Sequence, residues 1–232
     1  MIFASHRNIA VKKSLAATLI TGLCSAGLLA THAHAQTPGA AQNSFFHQGD
    51  ILLRGRVIGV LPQNFSSTVS VIGGQVRTTD QIAPELDLSY FLTDHISVEA
   101  IAASTRHEVW ASHTQIGRVD VGAVWVLPPT VTLQYHFSPV GAFQPYLGAG
   151  ITVAFFYATQ PAGPIVSKVG FSNSIGPALQ AGIDYRLNDH WFANFDVKQI
   201  FIDTKARING GAITAKTSLS PTVVGAGIGY RF

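Results

Sequence analysis

Charge is scarce in this chain. Asp, Glu, Lys and Arg together make up 12% of its 232 residues, about half the share usual in a soluble protein. Cysteine occurs once, as Cys24. Beyond residue 35 there is also no uninterrupted run of 18 apolar residues, close to the length a helix needs to cross roughly 30 Å of hydrocarbon. Yet apolar and aromatic residues reach 47%. A chain of this composition that spans a membrane without such a helix must do so with closed strands, the other arrangement that satisfies every backbone polar group.

The one long apolar stretch lies at the N-terminus. Lys12 and Lys13 precede residues 14–30, which carry no charge, and Ala33-His34-Ala35 follows as a small-x-small site. This pattern predicts a cleaved secretory signal over residues 1–35, because residues 31–36 are polar and suit cleavage better than a retained anchor. Cys24 lies within the apolar run with Leu23 before it, which does not fit lipid modification. The mature chain, residues 36–232, is then a single domain without cysteine, disulfides or thiol chemistry. Its charge also changes. Removing Arg7, Lys12 and Lys13 leaves 15 − 3 = 12 basic residues against 12 acidic ones, so the basic isoelectric point implies no nucleic-acid partner.

Period-two alternation runs through the mature chain and marks strands with two unlike faces. Ile82, Leu86, Leu88 and Tyr90 share one face, with Ala83, Glu85, Asp87 and Ser89 on the other. Val131, Leu133, Tyr135 and Phe137 oppose Thr130, Thr132, Gln134 and His136 in the same way. Eight strands are predicted, over residues 51–61, 82–92, 96–102, 131–137, 146–157, 175–186, 193–198 and 220–232; those at 51–61, 146–157 and 220–232 alternate less cleanly, and the nearly all-apolar, Gly-rich 146–157 has no assigned facing. Short turns at 93–95, 138–143 and 188–190 alternate with long loops at 62–80, 105–126 and 158–172, and a tight hairpin is expected at Asn209-Gly210-Gly211. The expected fold is an all-β, eight-stranded antiparallel transmembrane β-barrel with both termini on the periplasmic side.

A soluble lipocalin-like barrel would show the same periodicity with its apolar face turned inward. Three features favour the membrane form. Aromatic residues gather near strand ends. The polar face carries opposite charges that would pair in a narrow lumen, namely Arg54 and Arg56 with Glu85, Asp87 and Glu99. The last nine residues alternate apolar side chains with glycine or arginine up to Phe232. With Ile228 and Tyr230, that ending resembles the assembly signal of outer-membrane barrels, which the barrel-assembly machinery reads as an added strand.

Several segments together resemble the outer membrane protein W (OmpW) family. They are Thr93-Asp94-His95-Ile96-Ser97-Val98-Glu99, Leu127-Pro128-Pro129-Thr130, Pro145-Tyr146-Leu147-Gly148-Ala149-Gly150-Ile151, Gly182-Ile183-Asp184-Tyr185 and Gly229-Tyr230-Arg231-Phe232. The resemblance runs from about residue 50 to residue 232. It implies an eight-stranded barrel with a largely hydrophobic interior pathway, uptake of small hydrophobic compounds, and release sideways through the wall. The loops do not match well enough to carry over gate or ligand residues.

Other sites have ordinary readings. Gly148-Ala149-Gly150 lies within a strand, where a phosphate loop would need a strand-to-helix turn. His107, Glu108 and His113 have no recognised metal-ligand spacing. Glu85, Asp87, Glu99, Asp184 and Asp196 suit a structural ion-pair network better than paired acid/base catalysis, and no serine and histidine are spaced as nucleophile and base. No cofactor motif is present. Val124, Trp125, Val126 and Leu127 form the candidate solute entrance, and Pro84 and Pro177 are candidate weak points in the wall. The expected partners are outer-membrane lipid and lipopolysaccharide, the barrel-assembly machinery and small hydrophobic solutes. A surface-interaction barrel without transport is the alternative function, and a lipid-modifying barrel enzyme a more distant one. Oligomeric state is left open.

Overall fold

The computed structural model describes residues 44–63, 66–163 and 165–232. The signal sequence expected over residues 1–35 lies outside them. Eight strands form the barrel wall: β1 (Ile51–Leu61), β2 (Gln81–Phe91), β3 (Ile96–Ala103), β4 (Thr130–His136), β5 (Phe143–Pro161), β6 (Ser174–Arg186), β7 (Trp191–Ile200) and β8 (Thr222–Arg231). Each pairs antiparallel with its neighbours in chain order, and β8 closes on β1 with Leu52 opposite Arg231 and Leu61 opposite Thr222. Closure removes the unpaired edges an open sheet would present to lipid.

The two faces of the wall are inverted relative to a soluble barrel. Leu86, Leu133, Ile151, Leu179 and Phe195 are exposed on the outside, whereas Arg54, Asp87, Glu99, Thr132 and Asp184 are buried within. Residue period alone puts these sets on opposite faces, so one register decides all of them. Tyr90, Tyr135, Phe143, Tyr185, Trp191 and Tyr230 ring the short-turn end, as expected of an aromatic girdle.

The segments expected as loops are themselves largely β-structure, which corrects the reading of residues 62–80, 105–126 and 158–172. Thr105–Thr114 and Gly117–Leu127 form a hairpin, flanked by Gln75–Thr78 on one side and the outer end of β5 on the other. A second sheet contains Val169–Phe171, Asp203–Ile208, Ile213–Ser218 and Ser66–Val69. The turn of its central hairpin holds Gly210 at φ 73°, a left-handed conformation that suits glycine. The loop reading failed because polarity is reversed here. Val69, Val109, Val121, Val124, Val169, Ile208 and Ala215 pack inward as an apolar core, and charged residues face out.

The strand run from β7 into Asp203–Ile208 records both changes. Its inward side passes from Asn194, Asp196 and Lys198 to Ile200 and Ile202, while its outward side passes from Phe195 and Phe201 to Asp203, Lys205 and Arg207. The outer change marks where the wall leaves apolar surroundings. The inner change divides the lumen into a polar lower part and an apolar upper part.

Candidate functional site: an apolar chamber above a charged floor

At the short-turn end, residues 44–50 fold across the barrel mouth. Phe46 is fully buried, its ring 4.4 Å from Phe91 and 4.9 Å from Phe192. Phe45 N–H donates to Gln144 Oε1 at 3.0 Å, and Gln144 Nε2 donates to Ser44 Oγ at 2.8 Å. Arg186 lies over the Phe45 ring, and Arg231 Nη1 donates to the Phe45 carbonyl. This aromatic stopper closes the mouth.

Just inside it, Ser97 Oγ and His136 Nε2 are 3.1 Å apart. Sequence spacing gave no hint of this contact, because the two residues meet only through the pairing of β3 with β4. Both are fully buried, and the stopper's Phe46 and Phe91 pack against the His136 ring. A nucleophile and base need substrate access, which this pair lacks.

The middle layer is ionic. Arg54 reaches Asp87 (2.8 Å), Glu99 (3.0 Å) and Asp184 (3.5 Å). Arg56 reaches Glu85 (2.9 Å), Asp87 (2.8 Å), Glu99 (3.1 Å) and Asp196 (3.7 Å). Lys198 completes the layer at 3.0 Å from both Glu85 and Asp196. The five residues read from sequence as a network thus stand together, and Lys198, Asp184 and Asp196 join them. Neutral donors add further bonds: Thr132 and Gln180 to Glu99, Tyr146 and Gln180 to Asp196, Asn194 to Asp184. Burying so many charges is tolerable only with this degree of pairing.

Room for the arginines comes from the facing strand. Gly225, Gly227 and Gly229 line the inner side of β8, and a Cβ on Gly229 would stand 2.6 Å from Arg54 Cγ. The glycine alternation near the C-terminus therefore serves packing inside the barrel, apart from any part it has in assembly.

Above the ionic layer the lumen opens into an apolar chamber. Ile58, Val60, Ile101, Val126, Phe156 and Ile200 are among its walls, and Glu85 and Lys198 are at its floor. A second apolar cavity, between the two outer sheets, shares Val76 and Val109 with it. The candidate entrance segment divides by residue period. Val124 and Val126 line the chamber, whereas Trp125 and Leu127 face outward opposite Tyr157 and Phe155. Of the four residues read as a candidate entrance, only Val124 and Val126 therefore face the chamber. His107 lines the chamber and bonds to the Thr79 carbonyl at 2.9 Å, while Glu108 lies outside beside Arg106 at 3.5 Å, so these two do not converge as metal ligands.

The wall beside the chamber has a seam. Pairing of β2 with β3 stops at Glu85 opposite Ala103. The next backbone bond between the two runs is Thr79 N–H to the Glu108 carbonyl at 3.2 Å. Among the described residues no ladder joins residues 81–84, which include Pro84, to residues 105–107. The other proline differs. Pro177 is in register with Ile151, and its carbonyl accepts the Phe201 N–H at 2.9 Å, so that part of the wall stays bonded.

Comparison with known proteins agrees with this architecture. A model of the OmpW family matches residues 47–232. The outer-membrane protein y4mB of Sinorhizobium fredii is 42% identical over 190 residues, covering 78% of this chain and 79% of that one. Outer membrane protein W of Vibrio cholerae is 33% identical, covering 81% and 91%. The crystal structure of OprG from Pseudomonas aeruginosa superposes with a TM-score of 0.73 at 29% identity, covering 83% and 99%. The structure of AlkL in lipid bilayers shares the fold, with a TM-score of 0.60 at 22% identity, covering 87% and 96%. The chain is an outer-membrane β-barrel and belongs to the OmpW family.

Proposed function

We propose that this barrel takes up small hydrophobic molecules and releases them through its wall into the membrane, with no passage along the whole lumen. One observation carries the reading: an apolar chamber stands on a filled ionic layer and abuts a wall seam without ladder bonds at Pro84. An apolar solute gains by leaving water for such a chamber, at about 25 cal/mol per Å² of apolar surface buried. Beneath it, the ion-paired layer and the aromatic stopper oppose onward movement of apolar solutes, and of ions and sugars as well. The seam offers an exit where fewer backbone bonds need breaking. The family resemblance points the same way, and conduction without catalysis suits a lumen whose Ser97–His136 contact is enclosed.

The same reading assigns Ile228, Tyr230 and Phe232, on the outer face of β8, to recognition by the barrel-assembly machinery, and outer-membrane lipid to the apolar belt.

The test is uptake of a limiting hydrophobic compound by cells expressing the protein, a Val126→Asp variant or an Ala103→Phe variant, each shown to reach the outer membrane. Val126→Asp places a charge in the chamber, and Ala103→Phe fills space beside the seam. Both are expected to lower uptake severalfold while the outward Trp125→Asp does not. Uptake unchanged in both, and equal to that of cells lacking the protein, would favour a surface-interaction role instead.

A further inference from the structure

The outward face of the second outer sheet has an uneven charge pattern. Lys205 and Lys216 stand directly opposite one another on the paired strands Asp203–Ile208 and Ile213–Ser218. Arg207 lies one step further along the same face, and Lys168 beyond it; all four are exposed. Like charges directly opposite in a sheet are destabilising. Protection against edge pairing does not explain Lys205, Arg207 and Lys216, because their strands are the two central ones of the four. None of the four has an ion-pair partner among the described residues, whereas on the other outer sheet Arg106 pairs with Glu108 and Arg118 with Asp120.

Hydroxyls lie close by: Arg207 faces Thr214 in register, and Thr214 in turn bonds to Ser70. Asp203, Lys205, Lys216 and Ser218 line a common surface depression. Lys205, Lys216 and Arg207 outweigh the carboxylate of Asp203 and leave this face net positive, which with the nearby hydroxyls matches a phosphate group. Height supports the assignment. Phe201 is the last apolar residue on the outside of this strand, and Lys205 is four residues further, roughly 13 Å along a strand at about 3.3 Å per residue. With a tilt of about 40° that is roughly 10 Å above the apolar belt, the level of charged headgroups.

We propose that this face binds the phosphate groups of lipopolysaccharide in the outer leaflet. Lys205, Lys216 and Arg207 make the primary contacts, and Lys168 reaches sugar-linked phosphate further out. The anion relieves the repulsion of the lysine pair and anchors the outer sheets to the membrane surface.

Full-length protein purified from outer membranes, held in nanodiscs with EDTA to remove bridging cations, is titrated with bisphosphorylated lipid A, fully dephosphorylated lipid A and inorganic phosphate. Wild type is expected to prefer bisphosphorylated lipid A. The K205Q/R207Q/K216Q variant should weaken that binding on the order of a hundredfold, at roughly fivefold per cation, and K205R/K216R should retain it. Equal binding of dephosphorylated lipid A would overturn the proposal. Inorganic phosphate binding as tightly as lipid A would replace the lipid with a free anion and overturn it too. Should the triple variant fail to fold, the wild-type preference among the three probes decides alone.

Discussion

Lys198 Nζ lies 3.0 Å from Glu85 Oε1, and this pair is the boundary between the two interiors of the barrel. Below it every inward charge has a partner in the ionic layer. Above it Ile58, Ile200 and Ile101 turn the same lumen apolar. The chamber exists because the paired charges beneath it fill the cross-section, so the pair belongs to both the stability of the barrel and the shape of its cavity.

Lys198→Met should therefore cost stability. The substitution leaves Glu85 and Asp196 buried with Arg56 as their remaining cation. Breaking a buried pair in this way costs about 3–5 kcal/mol. Urea unfolding of the barrel in lipid vesicles measures it, and the double variant Lys198→Met/Glu85→Gln should recover part of the loss. A cost below about 1 kcal/mol would mean the layer is hydrated and its charges act independently.

Outward substitutions follow a different rule. Leu133→Lys puts a charge into hydrocarbon near mid-strand and should cost about 2–4 kcal/mol. The inward neighbour Thr132 would be tolerant of lysine in a water-filled lumen. Here it is fully buried and donates to Glu99 at 3.0 Å, so Thr132→Lys should cost at least as much. Equilibrium unfolding of both variants checks this, and a tolerated Thr132→Lys would argue for an open lumen.

Phe46→Ala tests the stopper. Removing a fully buried ring that stacks on Phe91 and packs against Phe192 should cost about 3–5 kcal/mol. Ion conductance across planar bilayers should nevertheless stay near that of wild type, because the ionic layer still fills the lumen above. Porin-like conductance in this variant would place the seal in the stopper alone.

The wall was legible because its signal is local and periodic. Most strands carry two unlike faces, and a β-period of two needs no tertiary knowledge to read; residues 146–157, nearly all apolar and Gly-rich, hid their facing. The partners of Arg54 and Arg56 were legible for a similar reason, since opposite charges on the inward face of a narrow barrel must pair. Three things were hidden. The outer sheets read as loops, because residues 105–126 mix polar and apolar positions around bulges at Val109 and Ala111, which break the period. The stopper depends on Phe45 and Phe46 folding back onto Phe91 and Phe192, a contact between distant segments with no pattern of its own. The division of Val124, Trp125, Val126 and Leu127 between inside and outside followed from the strand period, once that segment was recognised as a strand.

The final prediction separates folding stability from assembly. Ile228, Tyr230 and Phe232 lie on the outer face of β8, and Phe232 N–H donates to the Ile51 carbonyl at 2.9 Å. Phe232→Ser keeps that backbone bond. It removes an exposed ring whose aromatic neighbour is Tyr230 at 4.8 Å, a contact worth about 0.5–1.5 kcal/mol. The folded barrel should therefore unfold in urea at nearly the wild-type concentration, and purified chain should fold into detergent micelles with similar yield. In cells the outcome should differ, because strand-addition recognition draws specificity from pockets for alternate side chains. The amount of folded protein in the outer membrane, read from heat-modifiable mobility on gels, is expected to fall severalfold. Tyr230→Ser is the control for plain destabilisation: Tyr230 also packs edge-on against Trp191 at 5.1 Å, so it should lose more stability in vitro. If Phe232→Ser lowered yield in micelles and in cells by the same factor, its ring would matter for folding itself, and the assembly role assigned to this end of β8 would fall.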